Sequence, residues 1–184
     1  MANEQLSTQA VQQWFQRQGG MIHENVLLAY NYEYGCHFIA TSSLKSNETA
    51  CFCPFRLTLS YLNCLPNPPS GIRSLASTSQ CTKLVGKVES NAVATFLLVE
   101  ERLKGKDSFW YDYIQMLPVE KDLSTPLWFT EEDLMWLRGT NLFSSTVPES
   151  QTAVGLRKSM YEEAWKTGIK ILESQGVDAK PFTW

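Results

Sequence analysis

Two histidines, five cysteines and the adjacent glutamates Glu100 and Glu101 are the residues of this 184-residue chain best suited to chemistry. Proton transfer through the His37 ring requires a partner carboxylate and a pocket. Glu33 is the only carboxylate near it in sequence, so His37 reads as a turn or surface histidine. His23, beside Glu24 after Gly19-Gly20, reads as a solvated loop residue. Cys51-Phe52-Cys53 is the one close pair among Cys36, Cys51, Cys53, Cys64 and Cys81. A zinc site wants two C-x-x-C pairs or added histidines. This spacing supplies neither, and the thiols read as reduced, small buried hydrophobes. Neighbours on a helix diverge by ~100°, so Glu100 and Glu101 do not face each other, and they read as the solvated end of a buried helix. No G-x-S-x-G nucleophile turn occurs. Trp110 and Tyr113 have two readings, the wall of a substrate groove or aromatic packing of a helical part on a β-unit, and packing is the expectation.

The elements that position these residues follow from periodicity. Leu6, Ala10, Val11, Trp14 and Phe15 form one stripe of a helix from about Asn3 to Gln18, ended by Gly19-Gly20. Extended segments follow: Asn25 to Tyr32, Cys36 to Ala40 after a turn at Glu33-Tyr34-Gly35, and Ala50 to Phe55, stopping at Cys53-Pro54. Short strands separated by turns predict a small twisted antiparallel β-unit. Pro66, Pro68, Pro69, Ser70 and Gly71 make a loop that is not regular structure, and a boundary is placed there. The chain then turns helical. Asn91 to Leu103 is buried nearly all round, Thr130 caps a helix with acids in its first turn, and Val154 to Gln175 carries Tyr161, Ala164, Trp165, Gly168, Ile169 and Leu172 on one face. The fold class is α+β, strands first and helices after. The helical part is expected to dock through Phe96, Val99, Leu103 and Trp165.

Composition excludes several classes. Charged residues are 19% against a usual ~25%, and six Trp, seven Tyr and nine Phe supply a core, which excludes disorder throughout. A net charge of −3 argues against a nucleic-acid binder held by phosphate contacts. The longest apolar stretch, Ala92 to Val99, is far short of the ~20 residues of a membrane helix. The opening residues lack the pattern of a secretory signal. The expectation is an intracellular protein, cytoplasmic or nuclear, with no nucleic-acid and no membrane partner.

Three stretches together resemble the SET-domain protein methyltransferases, in the branch that methylates Rubisco large subunit and ribosomal-protein lysines. The most specific runs from Phe96-Leu97-Leu98-Val99-Glu100-Glu101 through Gly105, Ser108-Phe109-Trp110, Tyr113-Ile114 and Leu117-Pro118. It continues through Pro126-Leu127-Trp128-Phe129, Glu132, Leu134, Leu137 and Gly139-Thr140. That branch has a buried helix ending in an acid, then S-x-W-x-x-Y-I-x-x-L-P, then W/F-x-x-E-E-L-x-x-L. The second stretch is Trp14 with Gly19-Gly20. The third is Tyr34-Gly35-Cys36-His37-Phe38-Ile39-Ala40-Thr41 with Leu44, Asn47-Glu48 and Cys53-Pro54, similar to the family's G-x-G-L-x-A-T and the strand after it. His37 stands where the second glycine belongs.

The resemblance implies a division into residues 1–65 as N-terminal helix and SET-like strands, 66–88 as loop, and 89–184 as helical insertion. It implies S-adenosylmethionine as cofactor, met by the turn Tyr34, Gly35 and Cys36, and a protein substrate carrying a target lysine. The family's Asn-His pair and final catalytic tyrosine belong to a later, catalytic half that this chain does not contain. No catalytic or metal residue is therefore assigned. The expectation is a chain truncated before that half, inactive alone, with weak or no cofactor binding and with unpaired strand edges that favour association. A non-catalytic SET-like fragment acting as a protein-binding module is the alternative.

Overall fold

The computed structural model describes the backbone over residues 2–31, 33–119, 122–144 and 146–183, and side chains from Thr8 onward apart from Ser150. The expectations for Tyr32, Trp184 and the Leu6 side chain lie outside the described residues. Helix α1 spans Ala2–Arg17 and buries Val11 and Trp14, one turn apart. It ends where Gly19 takes a φ of +81°, a conformation that costs a Cβ-bearing residue free energy. Gly20 then donates its N–H to the Phe15 carbonyl at 2.9 Å, with the Phe15 ring packed where a Cβ would stand.

Strands β1 (Met21–Ile22), β2 (Val26–Asn31), β3 (Gly35–Ala40) and β4 (Cys51–Phe52) form two separate two-stranded antiparallel sheets, β1 with β4 and β2 with β3. The expected strand from Ala50 to Phe55 contracts to β4. Pro54 has no N–H to give a ladder, and Phe55–Leu57 winds into a 3₁₀ turn. β1 has no counterpart in the sequence reading, because two residues are too short for an alternation to show.

After the irregular Pro66 to Gly71 stretch, Leu75, Cys81 and Leu84 are buried, the last two within a 3₁₀ turn over Gln80–Leu84. Helix α2 (Ser90–Leu103) buries Val93, Phe96 and Leu97, and Phe96 meets helix α5 (Ala153–Ser174), where Trp165, Gly168 and Leu172 are buried. Phe96 stacks on Trp165 at 4.1 Å between ring centres and an 8° interplanar angle, and Phe182 closes on its other side at 5.8 Å. One core thus runs from Val11 and Trp14 of α1 to Phe182.

One expected docking residue and one residue of the expected apolar face of α5 differ. Leu103 is 54% exposed, because it lies one turn past Glu100, the last covered residue on its side of α2. Tyr161 is exposed near the solvent-facing Arg157, whose guanidinium carbon lies 5.9 Å from the Tyr161 ring centre. Helices α3 (Tyr111–Ile114) and α4 (Glu131–Trp136) are short. The cap anticipated at Thr130 is present as a reciprocal pair: Asp133 N–H donates to Thr130 Oγ1 at 3.2 Å, and Thr130 N–H donates to Asp133 Oδ2 at 3.3 Å. α4 anchors Leu134 against Phe143 and Val154 in a second, smaller apolar cluster. Helices and small antiparallel sheets make the chain α+β. Among the described residues no helix is long and apolar enough to cross a membrane.

Candidate functional site

Glu100 and Glu101 are not solvated, contrary to the reading of them as an exposed helix end. Both are buried, Glu101 to 2% exposure, because neighbouring loops bring donors to both carboxylates. Ser79 Oγ donates to Glu100 at 2.6 Å, Cys81 Sγ at 3.0 Å and the Gln80 N–H at 3.2 Å. Glu101 accepts from Ser108 Oγ at 2.6 Å and from the Lys104 ammonium. Ser108 Oγ in turn accepts the Trp110 N–H at 3.1 Å, and the Trp110 indole N–H donates to the Leu57 carbonyl at 2.8 Å. The glutamate, serine and tryptophan of the motif therefore form one buried polar chain that ties α2 to the segment after β4. Their spacing serves packing, as the sequence reading held for Trp110.

Tyr113 points elsewhere. It is exposed and lines an open cleft of about 1500 Å³. The cleft runs between α1 (Trp14, Phe15), the β2–β3 hairpin and α2 (Leu98), with the stretch from Tyr113 to Thr125 along its far side. The hairpin's alternation decides which side chains enter. Leu28 pairs with Phe38 and Tyr30 with Cys36, and these four share the face that lines the cleft. Glu33 and Asp122 are the charged groups of the lining, and no lysine, arginine or histidine belongs to it among the described residues. Tyr30, Phe38 and Asp122 were not assigned to a site from the sequence, and Glu33 was considered only as a partner for His37. The signal for Tyr30 and Phe38 was the two-residue alternation of each strand, which becomes informative only once the register is known.

Tyr34, Gly35 and Cys36 all lie on this cleft, at the tip of the hairpin. Gly35 has a φ of +62°, and no atom stands within 4 Å of where its Cβ would be. Its backbone is open to close approach. The Tyr34 N–H donates to Asn31 Oδ1 at 2.7 Å, which holds the turn. His37 is absent from the cleft lining. Its Nδ1–H donates to the Gly35 carbonyl at 2.9 Å, and its ring meets Tyr34 edge-on at 5.9 Å. The histidine in place of the second glycine braces the turn from behind and leaves the cleft clear.

His23 departs from its solvated reading. Its Nδ1 accepts the Asn25 N–H at 3.0 Å, and its Nε2 lies 3.1 Å from Glu48 Oε1. Glu48 also accepts the Lys45 N–H at 2.8 Å, and that bond, with His23, holds its carboxyl below the usual range. The pair pins the loop after β3 to the start of β2.

The cysteines divide. Cys64 and Cys81 are buried as expected, whereas Cys36, Cys51 and Cys53 are exposed and line the cleft. β4 pairs with the two-residue β1, both of its residues are exposed, and Cys53, which follows it, is exposed as well. Partial burial nevertheless pushes the thiols of Cys36, Cys51 and Cys53 up, which disfavours the thiolate.

No protein-family model matches this chain, and no solved structure matches it. Two curated proteins are similar to it. It is 30% identical over 130 residues to the ribosomal lysine N-methyltransferase of Schizosaccharomyces pombe, covering 68% of this chain and 20% of that protein. It is 32% identical over 123 residues to the actin-histidine N-methyltransferase of Gallus gallus, covering 67% of this chain and 19% of that protein. The chain spans about one-fifth of the length of these relatives. Across about two-thirds of its own length, it is a relative of protein methyltransferases.

Proposed function

We propose that the chain corresponds to the N-terminal portion of a SET-type, S-adenosylmethionine-dependent protein-lysine methyltransferase, divided as residues 1–65, 66–88 and 89–184. The turn Tyr34-Gly35-Cys36 is the part of the cofactor site this chain supplies. The observation that carries this is the Gly35 backbone, open at positive φ on the rim of a cleft walled by aromatic and apolar side chains. The donor set suits the group. S-adenosylmethionine carries a sulfonium cation, and the charged lining is Glu33 and Asp122, without a described cationic side chain to repel it. When bound, it supplies a methyl group to a neutral nitrogen nucleophile. The contribution of this chain is binding and water exclusion: Trp14, Phe15 and Phe38 present apolar surface, and the glycine admits the ligand against the backbone. The acceptor is a lysine of an intracellular protein, in cytoplasm or nucleus. A histidine acceptor is the second reading, since one of the two relatives is an actin-histidine methyltransferase.

The 184-residue chain alone falls short of an active site. One turn offers about two hydrogen bonds of ~1 kcal/mol net each, whereas micromolar affinity needs about −8 kcal/mol. Calorimetry with S-adenosylmethionine and radiolabel transfer to an acceptor protein test this. We expect weak or no binding and no transfer by this chain alone, with both restored when it is joined to the catalytic half of a relative's domain. Tight binding by the 184-residue form refutes the partial site. A joined form that still fails to bind refutes the cofactor assignment, and leaves the non-catalytic binding module as the reading.

A further inference from the structure

Cys51 and Cys53 carry thiols at alternate positions where β4 ends. Pro54 restricts the residue before it to extended backbone, and on an extended chain residues two apart point to one side, about 6.6 Å apart. Both cysteines accordingly line the cleft, whereas Phe52 between them is exposed and absent from the lining. Neither thiol is occupied by the fold. Cys53 Sγ donates to the Pro54 carbonyl at a long 3.7 Å, and Cys51 Sγ has no hydrogen-bond partner among the described residues. Cys81, by contrast, is fully buried and donates to Glu100 at 3.0 Å. The exposed pair is also mutually coupled. Burial pushes the Cys53 thiol up, and the charge of a neighbouring Cys51 thiolate pushes it further. Cys36 is raised by burial alone and does not share that coupling. Two sulfurs that oppose each other's ionisation are stabilised together by a cation between them.

Ligand number and softness decide which cation. Zinc wants four ligands, and among the described residues no group of three or more histidines, cysteines and carboxylates is placed to hold an ion. Thiolates select soft acceptors, and among these the closed-shell Cu(I) accepts two ligands in a line. Ile22, opposite Cys51 on β1, lines the same cleft and gives the pair an apolar neighbour that shields metal–sulfur bonds from water. We propose that Cys51 and Cys53 form a two-thiolate site for Cu(I) on the wall of the cleft. On binding, each thiol releases its proton to solvent and each sulfur donates an electron pair to the metal. Copper stays monovalent, no electron is transferred, and the bound unit carries one negative charge. The site is built by β4 and the residue after it, so it stands independently of the methyltransferase reading.

The test titrates the full, reduced chain with Cu(I) under anaerobic conditions, in competition with a chromophoric Cu(I) chelator and excess glutathione. The expected result is one Cu(I) retained per chain, with two sulfur ligands by X-ray absorption at the copper edge in a glutathione-free sample. Cys51→Ser and Cys53→Ser should each weaken binding at least roughly a hundredfold, the upper end of what changes around a metal's ligands cost. Cys36→Ser should leave copper affinity unchanged. Both ligand positions are exposed, and the spectrum of the unaltered chain reports the ligands without relying on either variant's fold. Loss of the ion to glutathione overturns the proposal. A third sulfur ligand overturns it too, as does equal weakening by Cys36→Ser, since either would place the ion among the cleft's thiols at large and not on this pair.

Discussion

Replacing Gly168 by alanine isolates the contact between α2 and α5. A Cβ there would stand 2.3 Å from Phe96 Cε2 and 2.5 Å from its Cζ, inside any real carbon–carbon contact. Phe96 is fully buried between Trp165 and Phe182, so its ring has no free direction to move. Overpacking of this kind costs about 1–3 kcal/mol, and displacing the ring forfeits part of a stacking contribution of ~0.5–1.5 kcal/mol. Alanine in mid-helix returns ~1 kcal/mol relative to glycine. The net is a loss of about 2 kcal/mol, which for a chain of this length lowers Tm by ~4–8 °C. The same substitution made in a Phe96→Ala background should reverse sign, because the clash is gone and only the helix-propensity gain is left. Urea unfolding of the four proteins in this double-mutant cycle gives the coupling directly. A neutral or stabilising Gly168→Ala in the otherwise unaltered chain, or additive effects, refutes the close approach of the two helices.

Three further outcomes follow from the buried polar groups and thiols. Ser108→Ala removes a donor to the buried Glu101 and should cost about 1–3 kcal/mol in urea unfolding; a change within error would mean the Glu101 chain does not hold α2 in place. A thiol reagent should modify Cys36, Cys51 and Cys53 in the native protein and reach Cys64 and Cys81 only after unfolding; rapid modification of all five at once contradicts the burial. Burial pushes the Cys64 thiol from 9.0 up to about 11, and Cys81 is raised further still by burial and by its hydrogen bond to Glu100. A folded-state pKa above the unfolded value gives stability present below pH 9 and lost as pH rises through about 11, so the urea midpoint should fall across that window and the fall should shrink in Cys64→Ala.

Long elements were legible and short ones were not. The stripes in α1 and α5 and the cap at Thr130 could be read because each repeats over several turns or follows a local rule. Leu103 and Tyr161 were misplaced for one reason: periodicity assigns a face and does not say where the covering element stops. The glutamate pair was misjudged because burial of a carboxylate depends on donors distant in sequence, Ser79 and Cys81 for Glu100. The turn Tyr34-Gly35-Cys36 was singled out through its resemblance to the family's glycine turn, and it lies on the cleft lining. Tyr30 and Phe38 were missed because their common face depends on the pairing of β2 with β3.

The most specific sequence motif of this chain is therefore a statement about architecture. Glu101, Ser108 and Trp110 are consumed by one another and by the Leu57 carbonyl, so none of them has a free polar group for a substrate. On the reading proposed above, this chain contributes through what the scaffold holds open. That is the cleft beneath the hairpin, where Gly35 bares backbone and Tyr30, Tyr34 and Tyr113 bring exposed aromatic rings. A substitution that breaks the scaffold and one that blocks the cleft can be told apart. Ser108→Ala should lower stability, whereas a bulky side chain at Cys36, on an exposed strand position, should leave the thermal transition unchanged. When the chain is joined to the catalytic half of a relative's domain, Cys36→Trp should abolish S-adenosylmethionine binding by calorimetry. Undiminished binding in that variant would remove the hairpin face from the cofactor site altogether.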